Sequence, residues 1–312
     1  ENNAESIFEI QSAVNYGPTQ PRNGNADSWL TNPYNSHLPS CCGFYQPSQD
    51  LVNAFKVDDQ GLPLLGINGP KYNDENLEND MGLAPKNEFV PTAHELDPRL
   101  DWTVGRRGIP YLDWGIQTGS DWVRSQAYGG PYDPEKQMYD KASQSVAMNS
   151  AFNRATAINF RALRYAHILL WRAECAVQEN DLETARKLVN QVRERASHQV
   201  VMGRVSTYIF DGRPIDVDYN QPAANYKVSG YTSFPSQEYA WAAVRMEERL
   251  EFAMEGFRFF DLVRWGIADQ VLNAYIAKEK AFRGVMIGTQ FVKGKNEHWP
   301  IPQTQIDLQP GI

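Results

Sequence analysis

Trp102, Trp114 and Trp122 place three of the chain's eight tryptophans within 21 residues, with Tyr111, Tyr128 and Tyr132 beside them. A sugar ring offers a face of C–H groups that stacks on an indole, while its hydroxyls require hydrogen-bonding partners. Asp113, Gln117, Asp121 and Arg124 are interleaved with these rings and could supply them. This is the composition of a carbohydrate site, and Trp102, Tyr111, Trp114, Trp122, Asp113 and Arg124 are its candidate ligand-binding residues. The opposing reading is structural, because an aromatic ring in a loop-rich segment buries a large area and anchors the chain.

Glu247, Glu251 and Glu255 recur at i, i+4 and i+8 on a stretch that reads as one helix. A like-charge column of this kind costs roughly 0.2–0.5 kcal/mol per pair unless cations meet it. Arg249, Arg258 and Arg264 are the cations at hand, so the six residues are read as a structural ion-pair network locking two helices, in preference to an acidic catalytic or metal site. Catalytic signatures are missing from the sequence. His37, His94, His167, His198 and His298 are scattered, and His94-Glu95 is not followed by a second His at helical spacing. There is no phosphate-cradling Gly-rich loop and no Gly-x-Ser-x-Gly elbow. Carboxylates are plentiful, but nothing singles out a pair that would flank a glycosidic bond. The Asp74 to Asp80 stretch lacks the spacing of a calcium loop and reads as a solvated turn. The expectation is a protein that is not an enzyme and carries neither metal nor cofactor.

The elements that must position these residues follow from composition and periodicity. With 42% hydrophobic and 22% charged residues over 312 positions, the chain can bury a core, while 22 Gly and 19 Pro signal much irregular backbone. A net charge of −8 without any stripe of Lys and Arg excludes a nucleic-acid partner. No apolar run reaches the roughly 18 residues of a membrane span, and Glu1-Asn2-Asn3 does not begin a secretory signal. Three Cys cannot build a disulfide framework, and the roles of the adjacent Cys41 and Cys42 stay open.

Residues 1–150 read as a loop-rich, ligand-side region broken by Gly-Pro and Asn-Pro turns, with a strand from Ser6 to Gln11 and a short helix near Ser48 to Phe55. Residues 151–312 read as helical. From Arg161, the residues Leu163, Ala166, Leu169, Leu170, Ala173, Ala176 and Val177 fall in an arc of about 140°. After a turn capped by Asp181, Leu182, Ala185, Leu188, Val189, Val192 and Ala196 fall in one of about 120°. The pair predicts a helical hairpin over 160–196, of tetratricopeptide length. One such unit cannot bury its face alone, so other helices of this chain or repeats upstream must cover it. Helices are predicted within 236–280, with Ser236 capping one that runs to Glu255, a second from Arg258 to Trp265, and an extended C-terminal segment beyond.

The segments Arg164-Tyr165-Ala166-His167-Ile168-Leu169-Leu170 and Val189-Asn190-Gln191-Val192-Arg193, the block from Arg245 to Gly266, and Trp299-Pro300-Ile301-Pro302-Gln303 resemble the SusD/RagB family of outer-membrane nutrient-binding lipoproteins. Pro47 to Phe55 and Asp97-Pro98-Arg99-Leu100 are similar to it too. The resemblance covers essentially the whole chain, but only the C-terminal portion of such a protein. It implies a mostly α, SusD-like fold built from tetratricopeptide-like hairpins and a loop-rich ligand-binding part. It also implies surface capture of an oligosaccharide for a SusC-like TonB-dependent transporter, at a lipid-anchored outer-membrane location. On this reading the anchor and the other repeats belong upstream of Glu1, and neither Cys41 nor Cys42 is a lipidation site. RagB-like peptide binding, a helical-toroid glycoside hydrolase and a pure tetratricopeptide interaction module are the alternatives.

Overall fold

A computed structural model describes residues 3–14, 24, 30–31, 33–34, 42–67, 69–147 and 156–309. His37 and Cys41 lie outside the described residues. The chain forms two compact units, Glu1–Met254 and Glu255–Ile312. The change of character near residue 150 is therefore one of secondary structure and not a boundary between units.

Regular structure is mostly helical. In chain order the helices are α1 (Gln49–Ala54), α2 (Gln126–Gly129), α3 (Gln144–Ala147), α4 (Tyr165–Gln178), α5 (Leu182–Ser197), α6 (Gln237–Glu251), α7 (Arg258–Arg264), α8 (Ala268–Glu279) and α9 (Gln303–Leu308). The strands β1 (Ser6–Ile10) and β4 (Phe160–Arg164), β2 (Val104–Gly105) and β3 (Asp133–Pro134), and β5 (Met202–Val205) and β6 (Val217–Pro222) form three antiparallel pairs. Among the described residues no helix is long and apolar enough to cross a membrane.

The predicted hairpin is formed by α4 and α5, but α4 begins at Tyr165 and not at Arg161. Residues 160–164 are withdrawn from the helix because they pair with β1, with Leu163 opposite Phe8 and Phe160 opposite Ile10. Asp181 caps α5 by accepting from the Thr184 N–H at 3.1 Å. Leu170, Ala173, Ala176 and Val177 of α4 and Ala185, Val189 and Ala196 of α5 are fully buried. The four alanines among them let the two helices approach closely. The distant α6 packs on both α4 and α5, so another helix of this chain covers part of the hairpin. The opposite edge of α4 keeps Tyr165, Ile168 and Trp171 at 45%, 41% and 40% exposure.

The charge column on α6 is buried, and its counter-ions differ from those the sequence suggests. Glu247 accepts from Arg99 at 2.7 Å and from Arg193 at 3.0 Å. Glu251 meets Arg164 at 2.5 Å, Arg99 at 3.1 Å and also Arg195. Burial would raise the Glu251 pKa, but Arg164, Arg99 and Arg195 together hold it well below the ordinary carboxylate value. Arg249 points away from this column, to Asp50 and to the Tyr72 hydroxyl. The helix also stops at Glu251, because Phe252 caps it and Met254 turns the backbone into the left-handed region at φ 61°. Glu255 thus falls in the second unit, where Arg264 pairs with Asp261 at 3.0 Å and Arg258 lies over the Trp265 ring. Neither Glu247 nor Glu251 is met by Arg249, Arg258 or Arg264. The reason is tertiary: arginines from the 3₁₀ turn Pro98–Trp102, from the end of β4 and from α5 reach the column first.

Within the first unit a core of Val52, Phe55, Leu96, Leu100, Val104, Tyr132 and Leu250 joins α1, the 3₁₀ turn and α6. The Asp74 to Asp80 stretch is less solvated than expected, since Leu77 and Asp80 are each 2% exposed. In the second unit Leu262, Ala268 and Phe291 form the core. A cavity of about 580 Å³ lies between Phe259, Leu272, Ile276, Met286 and Trp299. The C-terminal segment expected to be extended is instead irregular, with a 3₁₀ turn at Gly284–Met286 and further turns at 293–297, and it ends in α9.

Candidate ligand-binding surface

Two of the candidate rings prove to be core. Tyr111 is 0% exposed, and its hydroxyl donates to the Pro134 carbonyl at 2.6 Å. Burial raises its pKa well above the ordinary phenol value, with Glu135 and Asp133 adding to the shift. Gly105 makes room for it, because a Cβ there would stand 2.7 Å from the Tyr111 ring. Trp122, 4% exposed, packs edge-on to Tyr111 with ring centres 5.4 Å apart. Neither ring can stack on a sugar. Their turn-rich surroundings suggested display, but each large apolar face is instead packed on the other, with Trp114 and Met138 at the margin.

Trp114 is half-buried, with Nε1 donating to the Tyr139 carbonyl at 2.8 Å. Asp113 is exposed, yet its carboxylate caps the turn Lys141–Ser143 by accepting from the N–H groups of Lys141 at 2.5 Å and Ala142 at 2.9 Å. Trp102 is 42% exposed and its indole donates to the Gln199 carbonyl at 2.7 Å, so the plane of the ring is fixed. The interleaved Gln117 is buried against Asp133, and Asp121 accepts from the Thr118 hydroxyl. The six candidates therefore do not converge on one surface.

Arg124 does belong to an exposed aromatic surface, one made with residues the sequence did not suggest. Tyr34, Phe44 and Tyr45 are 41%, 49% and 51% exposed. The Arg124 guanidinium lies 4.6 Å from the Phe44 ring centre and 5.5 Å from that of Tyr34. Its Nη1 donates to the Cys42 carbonyl at 2.7 Å, and Cys42 is disulfide-bonded. Backbone bonds hold the loops together: Tyr34 N–H to the Trp122 carbonyl at 2.9 Å, and Phe44 N–H to the Leu30 carbonyl at 3.1 Å. Gln46 Nε2 adds a bond to the Gly130 carbonyl at 2.8 Å.

Two glycines let these loops close. Gly43, at φ 58°, would place a Cβ 2.8 Å from the Cβ atoms of both Arg124 and Tyr34. At Gly129 a Cβ would collide with the Gln46 side chain. The next helix, α2, presents Tyr128 at 66% exposure. Tyr34, Phe44 and Tyr45 escaped the sequence reading because they are ordinary aromatics in a Gly- and Pro-rich stretch. What joins Tyr34 and Phe44 to this surface is contact with residues some 80 to 90 positions away, which no local pattern signals.

Carboxyls with raised pKa lie elsewhere and inside. Burial lifts those of Asp133 and Glu135 well above the ordinary range, and they are 1% and 2% exposed. Burial pushes Asp80 up to about 6 against the opposing pull of Arg107. A general acid must reach the bond it protonates, and these three are enclosed. Among the described residues, no group of three or more His, Cys, Asp or Glu is arranged to hold a metal ion.

The comparisons with known proteins agree with this architecture. A SusD superfamily protein from Bacteroides vulgatus superposes with a TM-score of 0.54 at 21% identity, over 99% of this chain and 50% of its own. Surface glycan-binding protein A from Bacteroides fluxus gives 0.57 at 17%, over 99% and 49%. Surface glycan-binding protein A from Bacteroides thetaiotaomicron, solved in complex with laminarihexaose, gives 0.57 at 20%, over 98% and 50%. The chain thus spans about half the length of these structures, and the likeness is one of fold. No curated protein matches the chain. The model of the SusD family matches residues 4–312, and the chain belongs to that family.

Proposed function

We propose that this chain carries the ligand-binding surface of a cell-surface nutrient-capture protein, and that its ligand is an oligosaccharide. The observation that carries the reading is the cluster of Tyr34, Phe44 and Arg124, with the exposed Tyr45 next to Phe44 in the chain. It provides exposed rings for the C–H face of a sugar and a multi-donor side chain for its hydroxyls, on loops pinned by four hydrogen bonds. Such a surface is pre-organised, so little ordering entropy opposes binding. Membership of the SusD family and a fold shared with glycan-binding proteins support the choice of glycan over peptide. No chemistry on the ligand is part of this proposal. The captured glycan would pass to a SusC-like TonB-dependent transporter, with the protein held at the outer membrane by a lipid on its upstream portion.

Calorimetric titration with a panel of oligosaccharides, laminarihexaose included, and with short peptides tests the ligand class. Phe44→Ala and Tyr34→Ala should each weaken glycan binding at least about tenfold, since apolar burial and ring geometry are lost together. Tight binding of peptides and none of glycans would move the protein to the RagB-like reading. Unchanged affinity in both folded variants would remove this surface from the site.

A further inference from the structure

We infer that Arg124 makes this surface selective for acidic saccharides, those bearing a uronic carboxylate or a sulfate ester, over neutral ones. The inference rests on the glycan reading above and names the class of glycan.

The guanidinium of Arg124 has no carboxylate partner among the described residues, although the chain carries 38 Asp and Glu against 30 Lys and Arg. The contrast with its counterparts is direct. Arg99, Arg106, Arg164, Arg193 and Arg249 each meet a carboxylate oxygen within 3.1 Å. The acid nearest in sequence, Asp121, is engaged by the Thr118 hydroxyl through both of its oxygens. Of the five N–H donors on Arg124, one is spent on the Cys42 carbonyl. The remaining donors have no acceptor among the described residues.

The surroundings also fix how those donors are presented. The cation lies over the Phe44 and Tyr34 rings, and Gly43 lets the Arg124 stem settle against Tyr34. Stacking covers the faces of a guanidinium and leaves its edge, which is where a planar fork meets two oxygens of one anion. Neutral hydroxyls need no positive charge, and an amide side chain would serve them as well. A cation with no acid beside it among the described residues, exposed and oriented by rings, gains most from an anion that meets the same rings. Carboxylate and sulfate share this chemistry.

The test uses three oligosaccharides of matched length: neutral, uronate-containing and sulfated. Titration of the chain at low and at physiological salt should give at least tenfold tighter binding of one acidic oligomer than of the neutral one, with the preference shrinking as salt rises. Arg124→Gln should bring the ratio of acidic to neutral affinity close to one, and Arg124→Lys should restore part of it, because the charge returns without the fork. Circular dichroism and melting curves confirm that both variants fold. Which acidic oligomer wins distinguishes carboxylate from sulfate. Equal affinity for neutral and acidic oligomers, or a preference that survives in Arg124→Gln, overturns the inference while leaving the glycan reading in place. Failure to bind any of the three overturns both.

Discussion

The backbone N–H of Tyr34 donates to the carbonyl of Trp122 at 2.9 Å, so the loop that carries an exposed phenol ring is tied to the main chain of a buried tryptophan. Trp122 is itself wedged against Tyr111, which Gly105 admits to the interior. The aromatic pair is the footing of the surface and takes no part in contacting ligand.

Trp122→Ala should accordingly act on stability first. Removing a buried Trp typically costs about 3–5 kcal/mol. Ligand affinity should fall as well, because Tyr34 loses a fixed neighbour. Trp122→Phe, which keeps an edge-on ring against Tyr111, should recover most of both in paired melting and titration experiments. A variant that binds poorly while melting like the wild type would mean that Trp122 reaches the ligand directly.

Gly43→Ala should impair binding with a smaller effect on stability. An alanine there adopts φ 58° only with strain, and its Cβ would crowd those of Arg124 and Tyr34. A loss of about 1 kcal/mol or more in stability is expected, since the native backbone is incompatible with the new side chain. Displacing Arg124 and Tyr34 together should lower glycan affinity more than Tyr34→Ala alone. Titration of both variants against the same oligosaccharide measures the difference.

Glu251→Gln should destabilise the fold without touching the ligand surface. The glutamine leaves Arg164, Arg99 and Arg195 facing a neutral group, and breaking a buried pair in this way costs about 3–5 kcal/mol. The sign of the pH dependence follows from the depressed pKa of Glu251. Its contribution is fully present above the ordinary carboxylate value and is lost as pH falls below that value toward the folded one. The difference in melting temperature between wild type and variant should therefore be largest near neutrality and narrow under acid conditions. A constant difference from pH 7 to pH 3 would place the loss in packing and not in charge.

Periodicity made the helices legible and left the partners of their charged faces hidden. The arcs on α4 and α5, the Asp181 cap and the Ser236 cap each depend on residues within one or two turns, and all four are present. Glu247 and Glu251 were recognisable as structural acids, but Arg99 and Arg164 lie 148 and 87 residues from the acids they meet. The candidate site shows the same division. Aromatic density located Trp122 and Arg124 only two residues apart, while burial of the first and exposure of the second depend on how Tyr111 and Tyr34 approach from elsewhere. Local composition cannot say which of two neighbouring residues faces inward when no regular element fixes the alternation.

Asp80 offers a test of the buried acids with the opposite sign. It is 2% exposed, its Oδ2 has no hydrogen-bond partner, and Arg107 stands 3.9 Å away. That arginine is occupied by the carbonyls of Pro85, Asn87 and Tyr208, each at 2.6 Å, so it compensates the carboxylate only in part. With a folded-state pKa raised from 3.8 to about 6, the stabilising share of Asp80 is complete below the unfolded value and disappears as pH rises through the folded one. Above pH 6 the charged, enclosed carboxylate weakens the fold by on the order of 2–3 kcal/mol. Asn cannot ionise, and the guanidinium keeps its four carbonyl acceptors, Ala84 included, without Asp80. Asp80→Asn should therefore melt higher than the wild type at pH 8, with the gap closing by pH 4. Melting curves across that range decide it, and an asparagine variant that is less stable at pH 8 would show that the Arg107 attraction outweighs the cost of burying the charge.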